Sequence, residues 1–265
     1  MIGLCTDSGA QLPPALLERF GVEVVPLTVT VDEIDHLEGH DLDPDEFYHR
    51  LATGHRPDVR TIEPSAGQFA AAYEELMARG CTGILSVHGC AQVSRAVHSA
   101  RLAARSVHVP VKVVDSGSAG FGIGCCVWEA AEAIAAGASL EEAARVAEAL
   151  PTEIGNLFIV QPAGRPAAAG LDMLSWERGR LDVVDHAGDH TDALHRMAER
   201  ATAWGRRIRV AVGHTCSGSA TVADELAALV AAAANVAEVV RYRIAPSAGA
   251  LCGVGVAGCF MFPTR

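Results

Sequence analysis

Four short apolar runs mark the first half of the chain: Ile2–Thr6, Val22–Val29, Gly83–His88 and Val109–Asp115. Runs of this length, bounded by turn-forming residues, fit strands buried on both faces of a parallel sheet. Helical patterns separate them, the order expected of βαβ units. Asp43 ahead of Pro44 reads as a helix N-cap and first helical residue, with Phe47 and Leu51 one turn apart. Ser65 precedes an apolar stripe of Phe69, Tyr73, Leu76 and Met77 at helical spacing. Ser139 and Glu142 form a capping box for the helix that Pro151 ends.

Beyond Pro151 the pattern changes. "NLFIVQ", "RGRLDVVD", "RIRVAVGH", "EVVRYRIA" and "VAGCFMF" read as strands, with helices over Asp192–Trp204 and Ser219–Ala234 between them. The segment "GRPAAAG" reads as the nearest thing to a flexible joint. The expected class is α/β with two domains. Residues 1–150 form a three-layer α/β/α domain with a parallel sheet, and residues 151–265 form a second α/β domain with a mixed sheet.

Composition narrows the function. The chain has 265 residues, which fits one large or two medium domains, and half of them are hydrophobic, enough for a sizeable core. With 21 basic against 32 acidic residues the net charge is −11, which argues against a nucleic-acid partner. A small anion needs only local donors and stays open. Eight cysteines without a C-x-x-C pair read as reduced core residues of a cytoplasmic protein. No apolar stretch free of charges and prolines reaches the roughly 18 residues of a spanning helix, so no stable membrane insertion is expected. The opening "MIGLCTDSGA" lacks the pattern of a signal peptide.

In parallel α/β sheets ligands bind beyond the carboxyl ends of the strands. Four segments bring hydroxyls to that edge: Thr6-Asp7-Ser8, Asp115-Ser116, the Thr61 stretch before the Ser65 helix, and Ser94 in "HGCAQVSRAVHSA". Hydroxyls combined with helix N-terminal N–H groups suit an anion. Spacing alone does not name the anion, and each residue is also a good cap or turn former. An enzyme acting on a small polar substrate through Asp7, Asp115 and Ser94 remains the alternative. No G-x-S-x-G elbow or Walker A motif is present. "GVGVAG" at Gly253–Gly258 matches G-x-G-x-x-G, but the seven residues after it leave no room for a Rossmann helix. His186, His190 and His195 with Asp185 and Asp189 could hold a metal, though a solvated loop entering a helix accounts for them better. His88, His98 and His214 read as structural or surface residues, and no metal or cofactor is expected.

Taken in order, these strand-end residues resemble the DegV family of bacterial fatty-acid-binding proteins. The resemblance runs through "TDSGAQLPPALLERFGVEVVPLTVTVD", "DLDPDEFYHRL", "RTIEPSAGQFAAAYEELMARG" and "VVDSGSAGFGIG". It implies two α/β domains with a long-chain fatty acid held between them and presented to a fatty-acid kinase. It implies Thr61 and Ser94 as carboxylate donors, with Ser8 and Ser116 on the same edge. Some positions depart from the family pattern. Its S-G-T reads Ser94-Arg95-Ala96, the second residue of T-S-x-P-S is Ile62, and its late His-x-G-P-G reads Leu251-Cys252-Gly253-Val254-Gly255. The R-G-G-R region is shortened to "PAGRPAAAGLDMLSWERGRLDVV". Leu251 thus stands where the family carries histidine, and Arg95 is a candidate replacement donor.

Overall fold

The structure is a computed structural model that describes residues 1–54, 57–160, 170–177 and 180–265. The expected joint at "GRPAAAG", apart from Gly170, and the start of "RGRLDVVD" lie outside the described residues. The chain divides into two compact units, one of residues 1–42, 58–152 and 265, the other of residues 43–57 and 153–264. Among the described residues no helix is long and apolar enough to cross a membrane.

The first unit begins with β1 (Ile2–Asp7), whose last five residues are all buried. After α1 (Pro14–Phe20), β2 (Glu23–Val25) pairs with β1 in parallel. The expected single strand over Val22–Val29 is two strands in two sheets. Proline has no N–H for a ladder, and at Pro26 the chain leaves the parallel sheet. It then runs through β3 (Thr28–Val31) and β4 (Ile34–Leu37). Asp32 and Glu33 both take positive φ in the two-residue hairpin between them, as a primed turn requires. Following α2 (Pro44–Ala52), β5 (Val59–Ile62) returns to pair with β3, so the small antiparallel sheet has the order β4-β3-β5.

α3 (Ala66–Ala78) follows, capped as expected by Ser65, whose Oγ accepts from the Gln68 N–H. β6 (Gly83–His88) is buried at every position, between β1 and β7 (Val111–Asp115). α4 (Ala96–Ala103) connects β6 to β7. The parallel sheet has the order β2-β1-β6-β7. On one face Phe69, Tyr73 and Leu76 of α3 and Ala96 and Ala100 of α4 pack on Cys5 and Ile84. α5 (Phe121–Ala135) and α6 (Leu140–Ala149) pack on β1, β6 and β7. The capping box of Ser139 and Glu142 starts α6.

The second unit is built on a six-stranded sheet. Its strands are β8 (Gly155–Val160), β9 (Leu171–Glu177), β10 (Arg180–Ala187), β11 (Ile208–His214), β12 (Val236–Arg243) and β13 (Val256–Pro263), in the order β10-β9-β8-β13-β11-β12. Only β11 and β12 run parallel, which makes the sheet mixed. α7 (His190–Thr202) and α8 (Ser217–Ala231) supply Met197, Ala201, Ala223 and Leu226 to its core. A short helix, α9 (Pro246–Cys252), precedes β13. α2 packs in this unit, because Tyr48 is buried and donates its hydroxyl hydrogen to the Ile244 carbonyl at 2.8 Å.

Candidate functional site at the strand ends of the first unit

The edge is organised from below by a buried polar chain. His88 at the end of β6 stands 2.7 Å from the Asp7 carboxylate through Nδ1 and 2.7 Å from the Ser86 hydroxyl through Nε2. Ser86 Oγ receives the Tyr73 hydroxyl at 2.8 Å. Asp7 accepts at Nδ1, so that nitrogen carries the hydrogen and Nε2 is left to accept from Ser86. Burial pushes the Tyr73 phenol up, which keeps it a donor. The order Asp–His–Ser is that of a hydrolase triad, but all of these groups are buried and Tyr73 occupies the serine oxygen. The chain therefore ties β1, β6 and α3 together. The other oxygen of Asp7 accepts the Gly9 N–H at 3.1 Å and starts the turn carrying Ser8.

Asp115 braces the loops. Its Oδ1 accepts the N–H groups of Gly117 at 2.9 Å and Ala91 at 3.2 Å, holding the loop after β7 to the loop after β6. Ser116 is buried, and its Oγ accepts the Ser118 N–H at 3.3 Å. Ser8 donates its single hydroxyl hydrogen to Glu38, a buried carboxylate, at 2.8 Å and accepts from Leu27 N–H. It has no second hydrogen for a ligand, and Glu38 would repel an arriving anion.

Thr61 and Ser94 are placed differently. Thr61 lies exposed on β5 opposite Val29, and its hydroxyl has no hydrogen-bond partner among the described residues. Ser94 Oγ accepts the Ala96 N–H at 3.1 Å, leaving its own hydrogen without an acceptor among the described residues. The Glu63 carboxylate, two residues past Thr61, accepts the backbone N–H of Arg95, one residue past Ser94. That bond fastens the end of β5 to the start of α4 and brings the two hydroxyl-bearing segments side by side. The Arg95 side chain is exposed, with no side-chain partner among the described residues. Leu251 sits in the other unit on α9 and is 84% exposed.

The remaining candidates have structural surroundings. His98 is exposed on α4. His214 lies between Arg241 and Arg243, with ring nitrogens 3.1 and 3.3 Å from the guanidinium groups. Burial, then Arg243 and Arg241, push it down to about 4, so the ring is neutral near pH 7. Asp189 caps α7, His186 meets Asp172 at 2.7 Å, and Asp185 faces Arg196 and Arg200. Among the described residues no cluster of three or more His, Cys, Asp or Glu is arranged for a metal. The eight cysteines are free thiols, five of them buried. Tyr73 is legible as part of the apolar stripe of α3 but not as the partner of Ser86, and the sequence pattern assigns no role to Glu63 or Glu38.

Comparison with known proteins identifies the family of the chain. The sequence model of the DegV family, described as uncharacterised proteins, matches residues 1–162. A DegV domain-containing protein of Streptomyces coelicolor is 31% identical over 244 residues, covering 85% of this chain and 86% of that one. A DegV domain-containing protein of Mycobacterium tuberculosis is 30% identical, with 85% and 84% covered. Among solved structures, a DegV family protein of Thermus thermophilus, described by its fatty-acid binding, aligns with a TM-score of 0.83 and 27% identity over 99% of both chains. DegV of Bacillus subtilis, described as a fatty acid binding protein, aligns over 99% of both chains with a TM-score of 0.79 at 24% identity and shares the fold. This chain belongs to the DegV family.

Proposed function

We propose that the chain is a non-catalytic carrier of a long-chain fatty acid, with the carboxylate received by Thr61 and Ser94. The observation that carries this reading is the pair of unengaged hydroxyl donors on adjoining segments at the strand-end edge. Asp7, Asp115 and Ser8 hold the scaffold, while Ser116, whose Oγ likewise only accepts among the described residues, is buried. The Thermus thermophilus protein, described by its fatty-acid binding, supports the choice of ligand. Burial of the alkyl tail supplies most of the affinity, at about 0.8 kcal/mol per CH₂, so the headgroup contacts chiefly orient the acid. Leucine at position 251 offers no hydrogen bond, which leaves the exposed Arg95 guanidinium as the supplementary donor. The motif resemblance further supports hand-over of the acid to a fatty-acid kinase.

An enzyme using Asp7, Asp115 and Ser94 would need a carboxylate free to move a proton. Asp7 is engaged with His88 and Gly9, and Asp115 with Ala91 and Gly117. The carrier reading is tested by titrating delipidated chain with myristate. Thr61→Val combined with Ser94→Ala is expected to weaken binding by about 1–3 kcal/mol, the cost of a partly buried anion losing its donors. Unchanged affinity with an intact circular dichroism spectrum would remove both residues from the headgroup site.

A further inference from the structure

The Glu63 carboxylate on the Arg95 amide has the same chemistry as the headgroup assigned to this edge. Glu63 lies between β5 and α3 and is followed by the buried Pro64. A residue before proline is confined to extended backbone, so its side chain leaves from a fixed position. At the start of α4, Ser94 Oγ takes the Ala96 N–H and Glu63 takes the Arg95 N–H. These amides point out of the helix N-terminus, where a negative charge is favoured. Glu63 therefore puts a carboxylate on the amide that follows Ser94, from a position two residues past Thr61.

We infer that Glu63 is an internal competitor that sets the headgroup selectivity of the carrier; the inference rests on the carboxylate reading of Thr61 and Ser94. A fatty-acid carboxylate reaching those hydroxyls meets a like charge and an amide already bonded. It must displace Glu63 or bind beside it against repulsion. A neutral headgroup of the same length meets no such repulsion. Glu63 thus lowers the preference for acids over neutral amphiphiles.

Glutamine at this position keeps the size of the side chain and an oxygen for Arg95 N–H while removing the charge. The test measures equilibrium binding of radiolabelled myristate and methyl myristate to delipidated chain, native and Glu63→Gln. Myristate is expected to bind the variant about tenfold more tightly, a factor that corresponds to about 1.4 kcal/mol. Methyl myristate is expected to bind both within about twofold, since uncharged heads do not sense the Coulomb term. Glu63→Ala, which frees the amide outright, is expected to tighten myristate as well and stands in if the glutamine variant folds poorly. Unchanged or weaker myristate binding by both variants, with methyl myristate still bound, overturns the competitor role and leaves the carrier reading in place. If the native chain and both variants bind neither compound, the carrier reading itself falls, and the competitor role with it.

Discussion

At the residue scale, the useful distinction is between polar groups that hold the scaffold and those left with a hydrogen to give. Asp7, Asp115, Ser8 and Ser86 belong to the first kind, Thr61 and Ser94 to the second. The sequence places Asp7, Ser8 and Asp115 where buried parallel strands give way to polar residues, and Thr61 and Ser94 in segments leading to the next helix. It does not tell them apart. The partner of Ser8 is Glu38, thirty positions on, and the partner of Asp7 is His88, across the sheet. Local patterning carries no information about such pairs. Arg95 is legible as a departure from the S-G-T pattern, and its exposed guanidinium suits a solvent-screened contact. Arg95→Ala is expected to weaken myristate binding about two- to tenfold at low salt. That difference should shrink as ionic strength rises toward 1 M, where the Debye length falls to about 3 Å. Equal binding by native and variant chains in low salt would leave the headgroup to hydroxyls and backbone N–H groups.

At the element scale, caps were the most legible signals. Asp43 with Pro44, Ser65, and Ser139 with Glu142 each start a helix where the local chemistry places it. The run Val22–Val29 misleads because its apolar residues are continuous while its backbone is not. Pro26 splits it, and the Asp32-Glu33 turn carries no glycine to announce the hairpin. That hairpin matters because β3 supplies the edge on which β5 and Thr61 lie. β9 and α9 also lack a clear periodic signature. α9 is fixed by a close approach: a Cβ on Gly249 would stand 2.1 Å from the Tyr48 hydroxyl oxygen. Tyr48 is buried and bonded to Ile244, so it has little freedom to retreat. Gly249→Ala is expected to destabilise the chain by about 1–3 kcal/mol, the usual range for overpacking. Chemical denaturation checks this, and a native-like midpoint would show that α2 and α9 shift apart without cost.

At the scale of the whole molecule, two α/β units follow from the change in pattern near Pro151, but their membership does not follow chain order. Residues 43–57 join the second unit although they precede most of the first. Tyr48 meets Ile244 across 196 positions, a separation no window of sequence can register. The family assignment rests on residues dispersed over most of the chain, and the site on what the fold does with a few of them. The chain is proposed to carry a fatty acid. The most direct test of this proposal is to purify the chain from a bacterial host without detergent, extract it with organic solvent and weigh the extract by mass spectrometry. Long-chain fatty acid is expected at near one equivalent per chain, and less in Thr61→Val with Ser94→Ala. An extract without fatty acid, from chain that also binds none when myristate is added back, would contradict it.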